Sequence, residues 1–166
     1  MAADHQKLSV LAEGGHPWVV SWHPPASVPD GRPHGENAFC VTSDESVVLI
    51  SPNPVIWGWP GGRPADGDTW EDTLRREMHE EACVEVVGAR LLGFVRSACR
   101  GGPERGLVLV RNTWRAHVRL LPWDPHFEIP HRRVVPASEL GDHLCMEPGS
   151  GPIYRRARRG RPGLRL

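Results

Sequence analysis

The chain has no apolar run long enough to cross a membrane, for which about 18 or more uninterrupted apolar residues are needed. Its first residues, MAADHQKLSV, lack the positively charged stretch and apolar core of a secretory signal, so export by that route is not expected. Cysteine is sparse: Cys40, Cys83, Cys99 and Cys145 form no C-x-x-C pair and have no closely spaced histidine partner. That argues against a zinc site or a disulfide framework and makes reduced thiols in a cytoplasm the expectation. An excess of charge of either sign is missing too, with 20 basic and 20 acidic residues. The overall balance therefore gives no support to a nucleic-acid partner. Lysine is almost absent, since all but Lys7 of the basic residues are arginine, which fits a GC-rich genome better than a functional choice. There is no internal repeat and no linker. The 166 residues read as one domain with room for a proper core, with a lead-in over 1–15 and a basic tail over 154–166 as mobile ends.

Along the chain, His16 to Trp22 is rich in aromatic and β-branched residues and reads as a strand, followed by a Pro- and Gly-dense loop from Pro24 to Gly35. Ala38–Thr42 and Val47–Ile50 read as strands on either side of a turn at 43–46. Val84–Val87 and Ala89–Val95 read as strand interrupted at Gly88. Arg96 to Gly106, with three arginines, reads as a glycine-rich loop that is either an anion clamp or an exposed hairpin tip. Leu107–Leu121 holds one or two further strands, Pro122–Arg133 is irregular, and Arg133–Val135 is a short strand before a helix opening at Pro136. From Tyr154 the tail carries six arginines and no acid, read as a solvated, frayed end or as an anion-binding segment.

The most informative stretch is Gly61 to Val84, GGRPADGDTWEDTLRREMHEEACV. Asp68 and Glu71 give a D-x-x-E helix start, and Glu71 and Asp72 place negative charge where the helix dipole favours it. At 100° per residue, Trp70, Leu74, Met78 and Ala82 sweep an apolar arc. Glu77, Glu80 and Glu81 fall at i, i+3 and i+4 beside that arc, at the boundary between core and water. Three neighbouring carboxylates repel one another, whereas a bound hard cation would make the grouping favourable. Alone, RREMHEEA also fits a solvated helix face with salt links such as Asp72–Arg76 and Arg76–Glu80. The glycine turn before it, where backbone can approach a ligand closely, favours the site reading.

The spacing of Gly62, Asp68 and Arg76-Glu77-Met78-His79-Glu80-Glu81-Ala82-Cys83-Val84 resembles the Nudix box, G-x5-E-x7-R-E-U-x-E-E-x-G-U with U an apolar residue. Gly62, Arg76, Glu77, Met78, Glu80, Glu81 and Val84 match. Asp68 stands where the family has Glu and Cys83 where it has Gly, and Ala65 occupies a position that often carries Glu. The approach Trp57-Gly58-Trp59-Pro60-Gly61-Gly62 and the distal V-P-x-x-E-L order extend the likeness to about residues 36–145.

The resemblance implies an α/β/α sandwich around a central mixed sheet, and hydrolysis of a diphosphate linkage. Glu77, Glu80 and Glu81 would hold Mg²⁺ or Mn²⁺ together with the carbonyl of Gly62, with Arg76 orienting them. A general base would come from a box glutamate, Glu128 or Glu104. Trp22, Trp57, Trp123 and Phe127, with Arg96 and Arg105, are the candidate contacts to a flat, anionic substrate, and Trp22 has a plain packing role as its alternative. The expected partner is a small diphosphate, foremost a nucleoside diphosphate derivative, with no membrane, no nucleic acid and room for a homodimer. A catalytically silent Nudix domain that binds a nucleotide or phosphorylated metabolite is the alternative. The isoprenyl diphosphate isomerase branch ranks lower, because the cysteine and extra ligands it needs are not recognisable.

Overall fold

The computed structural model describes residues 7–11, 15–125, 127 and 129–143. Glu128, Cys145 and the arginine-rich tail lie outside the described residues. Among the described residues nine strands form one sheet: β1 (Lys7–Leu11), β2 (Pro17–His23), β3 (Arg32–Val41), β4 (Ser46–Asn53), β5 (Ile56–Gly58), β6 (Gly61–Gly62), β7 (Val84–Cys99), β8 (Val108–Leu120) and β9 (His131–Pro136). Their order is β1-β2-β7-β8-β3-β4-β5, with β6 on β3 and β9 on β4. The β3–β8 pairing is parallel and the other pairings are antiparallel, so the sheet is mixed.

Helix α1 (Trp70–Ala82) covers one face. Leu74, Met78 and Ala82 are buried there against Ala38, Cys40, Val48, Trp114, Ala116 and Val118. Full burial of a Leu or Met side chain stabilises by about 1.5–3 kcal/mol, so this stripe anchors the helix. The other face packs Phe39, Val41, Leu49, Trp57, Leu92 and Val135 against Leu140 of the short helix α2 (Leu140–His143). These layers are the expected α/β/α arrangement. No helix among the described residues is long and apolar enough to cross a membrane, and Cys40, Cys83 and Cys99 are free thiols.

Several sequence expectations need correction. The loop after Pro24 ends earlier than Gly35, because β3 begins at Arg32 and its first residues pair with β8. Gly88 does not interrupt β7; it marks a shift in register within one long strand, since the β7–β8 ladder absorbs the irregularity. Arg96 therefore belongs to the strand, and the loop shrinks to the β7–β8 turn. The helix is capped by Thr69 rather than Asp68. The Thr69 side chain accepts from the Asp72 N–H while Asp72 accepts from the Thr69 N–H, a reciprocal pair that suits a helix N-terminus. Asp72 is thereby engaged in the cap and is not the partner of Arg76. Trp70, at the first helical position, is 46% exposed rather than core, because Thr73 fills the buried position on that turn.

Candidate active site

The glycine turn and the box helix meet through backbone pairing. β6 lies on β3 with Gly62 opposite Glu36 and Gly61 opposite Asn37. The first turn of contact to the helix is the Gly61 N–H, which donates to Glu81 Oε2 at 2.7 Å. Gly62 lies so close to the Glu77 carboxylate that a Cβ there would collide with it. Glycine at this position is thus a matter of space: the carboxylate occupies the volume that any other side chain would need.

Arg76 is the electrostatic hub. Its guanidinium reaches Glu77 Oε1 at 2.7 Å, Glu80 Oε2 at 3.5 Å, Asp68 Oδ2 at 2.9 Å and the Arg63 carbonyl at 2.9 Å. The cation offsets the repulsion among the carboxylates. Asp68 also accepts from the Ala65 N–H at 2.9 Å, and these two contacts hold its carboxyl below the usual aspartate range. The shorter side chain at the family's Glu position thus keeps a role, as the anchor of Arg76. Cys83, at the family's Gly position, adopts the left-handed conformation (φ 48°, ψ 55°) that ends the helix, and its Sγ lies 3.4 Å from the Asp124 carbonyl.

Sequence reasoning missed a fourth acid. Glu36 is 6% exposed on β3, where its carboxylate accepts from Trp114 Nε1 at 2.6 Å and Asn112 Nδ2 at 3.0 Å. Burial raises its pKa, while the two hydrogen bonds work in the opposite direction. Trp114 in turn stacks on Trp70, with centroids 4.4 Å apart and planes 14° from parallel. A glutamate just before the apolar run Ala38-Phe39-Cys40-Val41 was the signal available.

The predicted substrate residues divide. The segment holding Trp123 and Phe127 is tied to the C-terminal end of the box helix. Leu121 N–H donates to the Cys83 carbonyl at 2.9 Å, and Arg132 Nη1 donates to the carbonyls of Ala82, Cys83 and Leu121, each at 3.0 Å. Arg132 also sits over the Trp123 ring at 5.1 Å, and Phe127 is exposed. Trp22 and Trp57 instead belong to the core on the face opposite α1, with Arg133 over the Trp57 ring at 4.3 Å. Arg96 pairs with Asp30 at 3.3 Å, and Arg105 and Glu104 are exposed in the β7–β8 turn. Trp22 and Trp57 are thus placed in the core on the other face of the sheet from the box helix, and Arg96 is committed to Asp30.

The side chains that meet the turn from the helix are carboxylates, the donor type that a hard divalent cation takes. In their present rotamers, Glu77 and Glu80 face Arg76 and Glu81 faces the Gly61 N–H. Among the described residues no three acid, histidine or cysteine side chains converge at metal-binding spacing.

Comparison with known proteins agrees with this architecture. The chain is similar to a pyrophosphohydrolase of Bacillus subtilis, BsRppH in a mutant form, with 16% identity over 92% of this chain and 96% of that one and a TM-score of 0.67. It is also similar to the Nudix hydrolase RenU of M. smegmatis, with 21% identity, coverage of 90% and 91%, and a TM-score of 0.55. The NUDIX domain of Shewanella oneidensis NrtR, solved with ADP ribose, shares 18% identity over 82% of this chain and 92% of that one, at a TM-score of 0.55. No curated protein matches the sequence. The family model for the NUDIX domain matches residues 19–157, most of the chain, and the chain accordingly belongs to the NUDIX domain family.

Proposed function

We propose that the chain is a metal-dependent Nudix-type pyrophosphohydrolase that cleaves a diphosphate linkage, with a nucleoside diphosphate derivative as the preferred substrate class. The observation that carries this reading is the seating of Glu77 and Glu81 directly on the Gly61–Gly62 turn. A solvated salt-linked helix would not need two carboxylates pressed against glycine backbone.

Glu77, Glu80 and Glu81, with the Gly62 carbonyl, would hold Mg²⁺ or Mn²⁺, which when bound supplies charge neutralisation on the phosphoryl oxygens and activation of water. Arg76 holds Glu77 and Glu80 in register from one side, and Asp68 fixes Arg76 from the other. Glu128 remains our candidate for the base that takes the proton from the attacking water. Trp123 and Phe127, on the segment anchored to the end of α1, are the aromatic groups best situated to meet a flat substrate group.

The competing reading is a domain that binds such a ligand without hydrolysing it. It is favoured by the engagement of all three box glutamates with Arg76 or backbone N–H. One assay separates the two. Cleavage is measured as release of products (nucleoside monophosphate, pyrophosphate, phosphomonoester or orthophosphate, separated by chromatography) from nucleoside triphosphates, dinucleoside polyphosphates, nucleotide sugars and prenyl diphosphates, with Mg²⁺, with Mn²⁺ and with chelator. Metal-dependent release supports the hydrolase. Saturable ligand binding with no release under any condition would establish the silent domain.

A further inference from the structure

A guanidinium closes the C-terminal end of the box helix. Arg132 lies on β9, opposite Ile50 of β4, and its side chain reaches α1. Its Nη1 donates to the carbonyls of Ala82, Cys83 and Leu121, each at 3.0 Å, and its guanidinium carbon lies over the Trp123 ring, 5.1 Å from the centroid. The last carbonyls of a helix lack partners within it and carry the negative end of its dipole. Arg132 meets both conditions, since it donates to two of these carbonyls and places a positive charge beside them. The third carbonyl and the ring belong to the segment that follows β8. That segment is tied to the helix end twice more, by the Leu121 N–H on the Cys83 carbonyl at 2.9 Å and by the Cys83 thiol on the Asp124 carbonyl at 3.4 Å.

Helix capping alone does not account for this clasp. Burial opposes the charged form of Arg132, and its bonds go to backbone carbonyls rather than to a carboxylate. A planar guanidinium can meet carbonyls at its edge while lying flat on an indole, which a lysine ammonium cannot do. The clasp also sits beside the box acids. Glu80 and Glu81 fall in the last turn of α1, about 3–5 Å along the helix axis from Cys83 at the ordinary rise per residue. Trp123 is therefore held at a set offset from two of the carboxylates. It remains half-exposed, with one ring face against Arg132. A flat side chain fixed in this way loses little freedom when a ligand settles on it.

We propose that Arg132 is a positioning residue for ligand recognition: it holds Trp123 as the platform for the flat organic group of the substrate, in register with the box carboxylates. The word substrate rests on the hydrolase reading; the recognition of a nucleoside group does not. Loss of Arg132 then weakens the grip on the nucleoside and leaves the grip on the phosphoryl groups as it was.

The test compares two ligands in which carbon replaces the bridging oxygen, so that neither is hydrolysed there: α,β-methylene ADP and methylenediphosphonate, which lacks the nucleoside. Each is titrated by calorimetry with Mg²⁺ into the full chain, as the parent, Arg132→Gln and Arg132→Lys, with melting curves alongside. The parent should bind the ADP analogue more tightly, by roughly tenfold or more, as expected for one stacked base. Both variants should lose most of that advantage while their affinity for methylenediphosphonate stays at the parental value. Arg132→Lys keeps the charge at the helix end and should melt closer to the parent than Arg132→Gln. A capping role alone predicts that the lysine variant regains the nucleoside advantage together with its melting temperature, or that both ligands weaken equally. Either result overturns the proposal, as does a parent that shows no preference for the nucleoside. If Arg132→Gln unfolds, Arg132→Lys decides the matter. Turnover plays no part in this readout, so a failure here leaves the hydrolase reading standing, and the converse holds.

Discussion

The carboxylate of Glu36 accepts the indole N–H of Trp114 at 2.6 Å beneath the box helix, and the same indole stacks on the half-exposed Trp70. A buried acid thus fixes an aromatic pair at the start of α1. Trp114→Phe keeps the ring but leaves one carboxylate oxygen without its donor, at an expected cost of about 1–3 kcal/mol in chemical denaturation. Because burial raises the Glu36 pKa, its protonated form is favoured by folding. Its contribution to stability is therefore full below the ordinary glutamate value of 4.5 and is lost as pH rises through the folded value. Glu36→Gln should gain stability relative to the parent at pH 7.5 compared with pH 4.5, measured as the difference in melting temperature. A difference that does not change with pH would show that the carboxylate is not desolvated.

Asp68 gives a second test through Arg76. Asp68→Asn removes the charge while keeping the shape, so Arg76 is left to Glu77, Glu80 and the Arg63 carbonyl. Hydrolytic rate should fall about tenfold through misplacement of Glu77, whereas Asp68→Glu, the family residue, should retain activity. Since the Asp68 pKa is depressed, its stabilising contribution is present above the ordinary aspartate value and fades as pH falls through the folded one. The parent should therefore lose more stability than Asp68→Asn on acidification. Equal acid sensitivity would remove Asp68 as the anchor.

The box helix was legible because its signals are local: apolar period, acidic first turn and glycine approach all lie within one stretch. The cap slipped by one residue since D-x-x-E at Asp68 and T-x-x-D at Thr69 describe overlapping starts, and only the paired side-chain and backbone bonds at Thr69 separate them. The packing role of Trp22 was open to a residue-level reading, but that of Trp57 was not, because which sheet face a strand residue takes depends on register with strands far away in sequence. Glu36 escaped notice for the same reason, since its partner Trp114 lies 78 residues along the chain.

Cys83 makes a third prediction. The left-handed backbone at this cap costs a non-glycine residue about 1 kcal/mol. Against that, the side chain is 5% exposed and its thiol reaches the Asp124 carbonyl. The two terms are of similar size, so Cys83→Gly should change stability by less than about 1 kcal/mol. Cys83→Val adds a β-branch to the same strained backbone and should lower the melting temperature clearly. Should the valine variant melt with the parent, the helix does not end in this conformation in solution.

Two glycines of the turn region separate function from folding. At Gly62 an added Cβ meets the far end of the Glu77 side chain, which can rotate away at little cost; at Gly35 it meets backbone, the Gly62 carbonyl, and the residue sits at φ 147°. Gly62→Ala should therefore fold with a melting temperature near that of the parent but displace Glu77 from the turn. Gly35→Ala should be strongly destabilised. If Glu77 is a metal ligand, Gly62→Ala and Glu77→Gln should each reduce turnover by on the order of 10²-fold, about 3 kcal/mol of transition-state stabilisation. Both should also weaken Mn²⁺ binding followed by electron paramagnetic resonance, and Glu81→Gln should do the same while leaving the apo protein as stable as the parent or slightly more so. Parental turnover in Glu77→Gln and Glu81→Gln together with undiminished Mn²⁺ affinity would place the metal elsewhere, and the seating of these carboxylates on the glycine turn would then be a packing feature alone.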